Sequence, residues 1–187
     1  MSAEHFDWWA LEQVLQCAAA VFVGGLLASA ALLKARERAA FRATVQVLDA
    51  ALLGGATSDA VIIAEAGAGL LTLIPATRTV GLWLDVFLFA AFAWTFARLR
   101  LRGIRHAQCG CLGPSSSERP MSVARVIWMS CGLAVLCAGL AASPGPSAQL
   151  LPWTGIAGIG LGVLALCAVF VVEALRANTT ASWEWTS

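Results

Sequence analysis

The chain has 187 residues, of which 59% are hydrophobic and 12% are charged, and its formal net charge is +1. Soluble domains carry roughly 25% charged residues, so this composition excludes an ordinary soluble protein and predicts an integral membrane protein. The small net charge gives no reason to expect a nucleic acid as a partner.

Apolar stretches dominate the chain from end to end. A helix needs about 20 apolar residues to cross a hydrocarbon core of roughly 30 Å. Five stretches come near this length, and they predict an all-α fold. We expect a polytopic membrane bundle with a four-helix core and a fifth C-terminal span, forming a single transmembrane domain over residues 1–187. The predicted spans are residues 9–33, 58–75, 79–97, 121–142 and 151–175.

The N-terminus is acidic and aromatic, without the basic start of a cleavable signal peptide, so the first span is interpreted as retained. After this span, residues 37–54 carry apolar side chains at helical spacing and arginines at one end. This pattern predicts a short helix lying in the membrane interface. The alternative is an ordinary solvated loop.

Ionisable residues inside spans are costly and usually face a partner or a water-filled cavity. Glu65 lies about two turns inside the second span, and Lys34 ends the first span on the same side of the membrane. An ion pair between them is therefore geometrically reasonable, with a structural role or a role in proton handling. Asp85 falls in the opposite leaflet, where a polar contact within the bundle is expected.

The longest polar loop, residues 98–120, holds Cys109-Gly110-Cys111. Two thiols separated by one glycine can close a tight, strained disulfide, and such disulfides exchange readily. The preceding arginines favour the reactive thiolate. The alternatives are incidental cysteines behind arginines that only orient the protein, or a metal site with His106. A structural zinc site needs four ligands, so no metal is predicted.

The other four cysteines lie in apolar runs and are expected to pack as small hydrophobic residues. Cys131 and Cys137 are six residues apart, so they should face different directions on a helix. They are therefore not expected to form a redox pair.

Basic residues set the expected orientation. Of the 12 Lys and Arg residues, all but Arg78 fall on the side of the C-terminus and of the links after spans one and three. The positive-inside rule makes that side cytoplasmic and puts the N-terminus outside. Cys109 and Cys111 are then expected at the cytoplasmic edge, where thiols are normally kept reduced.

The chain resembles the MauE family of methylamine utilisation proteins, part of the wider MauE/DoxX-like group of redox-associated membrane proteins. The resemblance covers about residues 20–140. It is carried by Leu32-Leu33-Lys34 with Phe41 after it, by Glu65 followed by Gly67 and Gly69, and by Cys109-Gly110-Cys111-Leu112-Gly113 ahead of another span.

This resemblance implies a multi-pass protein of the bacterial plasma membrane that is needed to mature the small subunit of methylamine dehydrogenase. That client is exported and rich in disulfides. The expected role is forming or isomerising disulfides, or delivering the subunit for that step. A thioredoxin-like protein is a further candidate partner beside the client and the lipid bilayer, and no cofactor is expected. The candidate catalytic residues are Cys109, Cys111, Glu65 and Lys34.

Two other functions stay open at this point. The first is a quinone-linked disulfide oxidoreductase of the DsbB or vitamin K epoxide reductase kind, although those proteins typically use a CxxC and a second cysteine pair. The second is a non-catalytic assembly or transport subunit whose cysteines are structural or palmitoylated.

Overall fold

The computed structural model describes residues 8–48, 55–107, 121–143 and 152–181. Within these ranges the chain forms six helices and two strands of two residues each. The prediction of an all-α membrane helical bundle is confirmed. The elements are α1 (Trp8–Arg36), α2 (Arg38–Leu48), α3 (Gly55–Leu73), α4 (Arg78–Leu101), β1 (His106–Ala107), β2 (Met121–Ser122), α5 (Val123–Ala142) and α6 (Pro152–Ala181).

Three helices in the described ranges are long and apolar enough to cross a membrane, and they match the first, third and fourth predicted spans. They cover Ala10–Arg36, Arg78–Leu101 and Val123–Ala142. The predicted second span forms α3, and the predicted fifth span forms α6, in which the apolar stretch is Gly155–Val169. Crossing of the membrane by α3 and α6 stays a prediction.

The chain divides into two compact units. The core unit is Val23–Ala142, which holds the second half of α1 and all of α2, α3, α4 and α5. The terminal unit combines the part of α1 up to Phe22 with α6. In the terminal unit the two helices meet at glycines, because a Cβ added at Gly158 would lie 2.6 Å from Cβ of Cys17.

The helix predicted between the first two spans follows α1 directly. Glu37 separates α1 from α2, yet its N–H donates to the carbonyl of Leu33 and its own carbonyl accepts from Phe41. The helical hydrogen bonding therefore continues into α2. The described part of α2 ends at Leu48 and α3 begins at Gly55, so the final part of the predicted 37–54 helix lies outside the described residues.

A tight turn joins α3 to α4, as Pro75 in the sequence suggests. The hydroxyl of Thr77 donates to the carbonyl of Leu71 over 2.9 Å, which satisfies one of the carbonyls left free at the end of α3. The N–H of Gly81 then donates to the carbonyl of Thr77 at the start of α4. The short connection makes α3 and α4 antiparallel neighbours.

The end of α4 is a glycine cap of the Schellman type. Gly103 has a φ of +83°, a conformation that side chains other than glycine rarely adopt. Its N–H donates to the carbonyl of Arg100, and the N–H of Ile104 donates to the carbonyl of Leu99. The cap turns the chain out of the helix and into β1.

The strands β1 and β2 pair antiparallel, with His106 opposite Ser122 and Ala107 opposite Met121. Below this pairing, α4 and α5 share a small apolar core of Phe96, Leu99, Val123 and Val126. Ala107 and Met121, which flank segment 108–120, are therefore held side by side at one end of the α4–α5 pair.

Candidate functional site

The core unit contains a buried ion pair between Lys34 of α1 and Glu65 of α3. The ammonium group donates a hydrogen bond to Oε1 of Glu65. Only 4% of the Lys34 side chain and 1% of the Glu65 side chain are exposed. The two residues proposed from sequence as partners are thus in direct contact, although they are 31 positions apart.

Two aromatic rings complete the surroundings of the ammonium group. The Lys34 nitrogen lies 5.1 Å from the ring centre of Phe41 in α2 and 5.5 Å from that of Phe92 in α4. The face of an aromatic ring attracts a cation at such distances. Helices α1, α2, α3 and α4 therefore all contribute to holding this charge away from water.

Glu65 keeps one oxygen free for chemistry. Its Oε2 is buried and has no hydrogen-bond partner among the described residues. A buried carboxylate oxygen without a partner carries a free-energy cost. The arrangement can accept a proton on Oε2 while Oε1 stays on the ammonium group.

Backbone contact between α1 and α3 brings the pair together. A Cβ added at Gly24 would lie 2.9 Å from the carbonyl oxygen of Gly69, and one added at Gly69 would lie 2.8 Å from that of Gly24. Gly69 is one turn beyond Glu65 on the same helix. Small residues at a helix crossing permit this approach, which brings Lys34 within reach of Glu65.

A second set of ion pairs fastens α2 to α3 and was not anticipated from the sequence. Asp59 accepts from Nε of Arg38 over 2.7 Å, and its Oδ2 accepts from Nη2 of Arg42 over 2.6 Å. Asp59 also raises the pKa of the Arg38 guanidinium by hydrogen bonding. The spacing of Arg38 and Arg42 by one helical turn was the available signal, because it puts both side chains on one face of α2.

Asp85 makes the polar contact expected of it within the bundle. It is fully buried in α4, and its Oδ2 accepts a hydrogen bond of 2.7 Å from the hydroxyl of Thr72 in α3. Its Oδ1 is buried and has no hydrogen-bond partner among the described residues. The sequence reasoning missed Thr72, which is fully buried as well.

The four cysteines of the apolar runs are free thiols, and the prediction that they pack as small hydrophobic residues holds for two of them. Cys17 and Cys137 are buried, whereas Cys131 and Cys167 are exposed on their helices. Cys131 and Cys137 therefore do face different directions on α5.

Cys109 and Cys111 lie outside the described residues, within segment 108–120. The structure describes the residues that flank that segment. The N–H of Val123 donates to the carbonyl of Arg105 over 3.0 Å beside the paired β1 and β2. Cys109 follows β1 by two positions in the sequence.

Arginines surround this end of the α4–α5 pair. The residues Arg98, Arg100, Arg102 and Arg105 are exposed at and after the end of α4, and Arg125 is exposed near the start of α5. Arg98 also lies over the ring of Trp94, 5.1 Å from its centre. No group of three or more His, Cys, Asp or Glu side chains suited to a metal ion occurs in the described part of the chain.

Comparison with protein families identifies the part of the chain that matches a known family. Residues 12–143, well over half of the chain, match the family described as Methylamine utilisation protein MauE. The matched region contains Lys34, Glu65, Cys109 and Cys111, whereas α6 lies beyond it. No curated protein and no solved structure matches the chain. By this match, which covers almost all of α1 and every element from α2 to α5, the chain belongs to the MauE family.

Proposed function

We propose that this protein is a membrane accessory protein of methylamine utilisation that supports maturation of an exported, disulfide-rich redox enzyme. In this proposal it works by thiol–disulfide exchange through Cys109 and Cys111. Family membership supports the general role. The observation that carries a chemical role is the buried Lys34–Glu65 pair inside the matched region, with Oε2 of Glu65 free to take a proton.

The proposed exchange conserves electrons. The thiolate of one cysteine attacks a disulfide of the client, so that one S–S bond forms between the two proteins and the client bond breaks. The second cysteine then attacks this mixed disulfide and releases the client, and the reverse steps return a disulfide to a different pair of client sulfurs. Isomerisation in this sense needs no external oxidant.

Glu65 and Lys34 carry out the proton transfers that this scheme requires. A thiol must lose its proton before it attacks, and the departing thiolate gains one at the end. Glu65 is the proposed acceptor and donor, and the ammonium group of Lys34 holds its carboxylate in position. The exposed arginines at the end of α4 are the proposed source of positive charge that favours the thiolate.

In this proposal the protein resides in the bacterial plasma membrane. Exchange with the disulfides of an exported client requires segment 108–120 to reach the periplasmic side, whereas charge predicts the N-terminus outside and segment 108–120 on the cytoplasmic side. Labelling of intact cells distinguishes the two. The arginines at that end support the cytoplasmic placement through the positive-inside rule. The proposed client is an exported dehydrogenase small subunit, and a thioredoxin-like protein is the proposed exchange partner. No cofactor enters the exchange.

The decisive experiment compares two double variants in cells that produce the client. Cys109→Ser/Cys111→Ser is expected to leave the client without its correct disulfides while the membrane protein stays at its normal level. Cys131→Ser/Cys167→Ser is the matched control, because both thiols are free and exposed on their helices and neither belongs to the Cys109–Cys111 pair. Client disulfides are read by gel shift after alkylation of free thiols.

Normal client disulfides in Cys109→Ser/Cys111→Ser would contradict the exchange mechanism and leave the non-catalytic assembly subunit as the function. Labelling intact cells with a membrane-impermeant maleimide tests the orientation separately. Reaction of Cys109 and Cys111 from outside would place segment 108–120 on the periplasmic side.

A further inference from the structure

A single ring of α2 covers the ion pair between Lys34 and Glu65. The side chain of Phe41 is buried, and its ring centre lies 5.1 Å from the Lys34 nitrogen. Of the α2 side chains whose burial the structure describes, Phe41 alone is buried, whereas those of residues 38–40 and 43 are exposed. In the described part of α2, the apolar attachment to the core unit therefore depends mainly on one aromatic side chain.

Ion pairs at the surface fasten α2 on both sides of this ring in the sequence. Arg38, before Phe41, donates through Nε and Nη2 to the two carboxylate oxygens of Asp59, near the start of α3. Arg42, directly after Phe41, donates to Oδ2 of Asp59 over 2.6 Å. A two-point arginine–carboxylate contact joined by a second arginine is stronger than an isolated surface pair. All three side chains are nevertheless partly exposed, so water and salt can compete for these contacts.

The longer helices beside the ion pair are harder to separate than α2. Helices α1 and α3 touch through their backbones, because a Cβ added at Gly24 would lie 2.9 Å from the carbonyl oxygen of Gly69. In contrast, the described part of α2 has 11 residues, and only Glu37 separates it from α1. Local opening costs least in an element with little buried apolar surface. Movement of α2 can therefore uncover Lys34 while α1 and α3 stay packed.

We propose that α2 is a lid over the Lys34–Glu65 pair and that Asp59, with Arg38 and Arg42, is the latch that keeps this lid closed. With the latch closed, the ring of Phe41 keeps water away from the ammonium group. When the latch opens, α2 lifts and water reaches the ion pair. The lid would then control when Glu65 can exchange a proton, a use that rests on the proposed function, whereas the lid itself does not.

Lys34 is the only lysine in the chain, so its contact with water can be measured directly. The test treats the full chain in lipid nanodiscs with formaldehyde and dimethylamine–borane, which methylate accessible amines. Mass spectrometry follows methylation of Lys34 relative to N-acetyl-lysine added to the same tube. Lys34 of the unaltered protein is expected to react far more slowly than N-acetyl-lysine, because only 4% of its side chain is exposed.

Asp59→Asn removes the charge of the latch and is expected to raise the methylation rate of Lys34 roughly twofold to tenfold, the range expected for losing a small network of surface ion pairs. Glu37→Gln is the matched control, because Glu37 is an exposed acid beside α2 that does not belong to the latch. It should leave the rate unchanged. Phe41→Ala removes the cover itself and should raise the rate even though the latch is intact.

Salt provides a second measurement on the unaltered protein. Raising NaCl from about 0.1 M to about 1 M shortens the Debye length from about 10 Å to about 3 Å, so Lys34 should be methylated faster. In Asp59→Asn this salt effect should be lost. Protection of the buried thiol of Cys137 from N-ethylmaleimide checks that the core unit is intact. If Asp59→Asn exposes Cys137, the salt dependence of the unaltered protein decides the question.

Three results would overturn the lid. They are methylation of Lys34 in the unaltered protein as fast as that of N-acetyl-lysine, a rate in folded Asp59→Asn equal to that of the unaltered protein, and a rate in the unaltered protein that does not change with salt. Cys109→Ser/Cys111→Ser should leave all these rates unchanged. Failure of the lid is therefore distinguished from failure of the exchange mechanism, which is read from the disulfides of the client.

Discussion

Lys34 holds its charge inside the core unit because a carboxylate and two aromatic rings replace the water it has lost. Such a pair depends on both members. Removing one member of a buried ion pair typically costs about 3–5 kcal/mol, because the other charge stays buried without a partner, whereas replacing both by apolar residues is often neutral.

We therefore expect Lys34→Met and Glu65→Leu each to lower the free energy of unfolding by about 3–5 kcal/mol. The double variant Lys34→Met/Glu65→Leu should recover most of that loss. Circular dichroism during unfolding of the protein in mixed micelles measures all three.

A double variant as unstable as the sum of the two single variants would contradict this account of the pair. A stable double variant also gives a functional test. If it matures the client normally, the pair only joins α1 to α3, and the proposed proton role of Glu65 is wrong.

At the residue scale, the different orientations of Cys131 and Cys137 on α5 were predictable from their spacing. The six-residue interval between Cys131 and Cys137 was sufficient to expect different faces of α5, and one thiol is exposed while the other is fully buried. The partner of Asp85 was not predictable in the same way. Many polar residues could have met Asp85, and only the crossing of α3 and α4 selects Thr72.

At the scale of helices, glycines decide how closely the elements approach. A Cβ added at Gly81 in α4 would lie 2.4 Å from the backbone nitrogen of Thr72 and 2.5 Å from its hydroxyl oxygen. Gly81 is one turn before Asp85, just as Gly69 is one turn after Glu65. Each buried carboxylate thus lies next to a point where two backbones touch.

Gly81→Ala is expected to force α3 and α4 apart and to lower the free energy of unfolding by about 1–3 kcal/mol, the usual cost of overpacking. Gly67→Ala is the matched control, because a Cβ at Gly67 meets nothing within 4 Å. It should be neutral or stabilising by up to about 1 kcal/mol through helix propensity. Thermal unfolding in the same detergent measures the stability of both variants. Equal stability of the two variants would contradict the expected overpacking between α3 and α4 at Gly81.

For the amphipathic helix after the first span, the sequence pattern predicted the helix but not its packing partner. Apolar spacing and arginines were enough to predict a helix there, and α2 forms from Arg38 to Leu48. Its attachment to α3 through Asp59 was not predicted, because the acceptor lies on another helix. The pattern identifies a helical face, whereas the partner of that face depends on packing.

At the scale of the whole molecule, the family match and the core unit end at nearly the same position. The match ends at residue 143, and the core unit ends at Ala142. α6 lies beyond both and meets the first half of α1 in the terminal unit through Gly158 and Gly162. The family match therefore includes the whole core unit and residues 12–22 of the terminal unit, whereas α6 lies outside it.

Gly158→Leu is expected to displace α6 from α1 and to make Cys17 reactive towards N-ethylmaleimide, while Cys137 in the core unit stays protected. Gly160→Leu is the matched control on the same helix, because a Cβ there meets nothing within 4 Å. Mass spectrometry of the labelled protein in detergent locates the modified cysteines. Protection of Cys17 in Gly158→Leu would contradict the role of the Gly158 contact in shielding this thiol, and labelling of Cys137 would show that the core unit is disturbed as well.

The sequence alone determined the membrane class, the helices and the candidate residues, because hydrophobic length, helical periodicity and the order of Lys34, Glu65 and the Cys109–Cys111 pair are properties of the linear chain. The expected five spans also follow from hydropathy. In the described residues, three of them form helices that are long and apolar enough to cross a membrane. Only the tertiary structure decided which groups meet. Glycine contacts between backbones determine how α1, α3 and α4 cross, and these crossings select the partners of Lys34 and Asp85. They also show that Glu65 and Asp85 each keep a buried oxygen without a partner in the described part of the chain, because burial depends on neighbours that are distant in sequence.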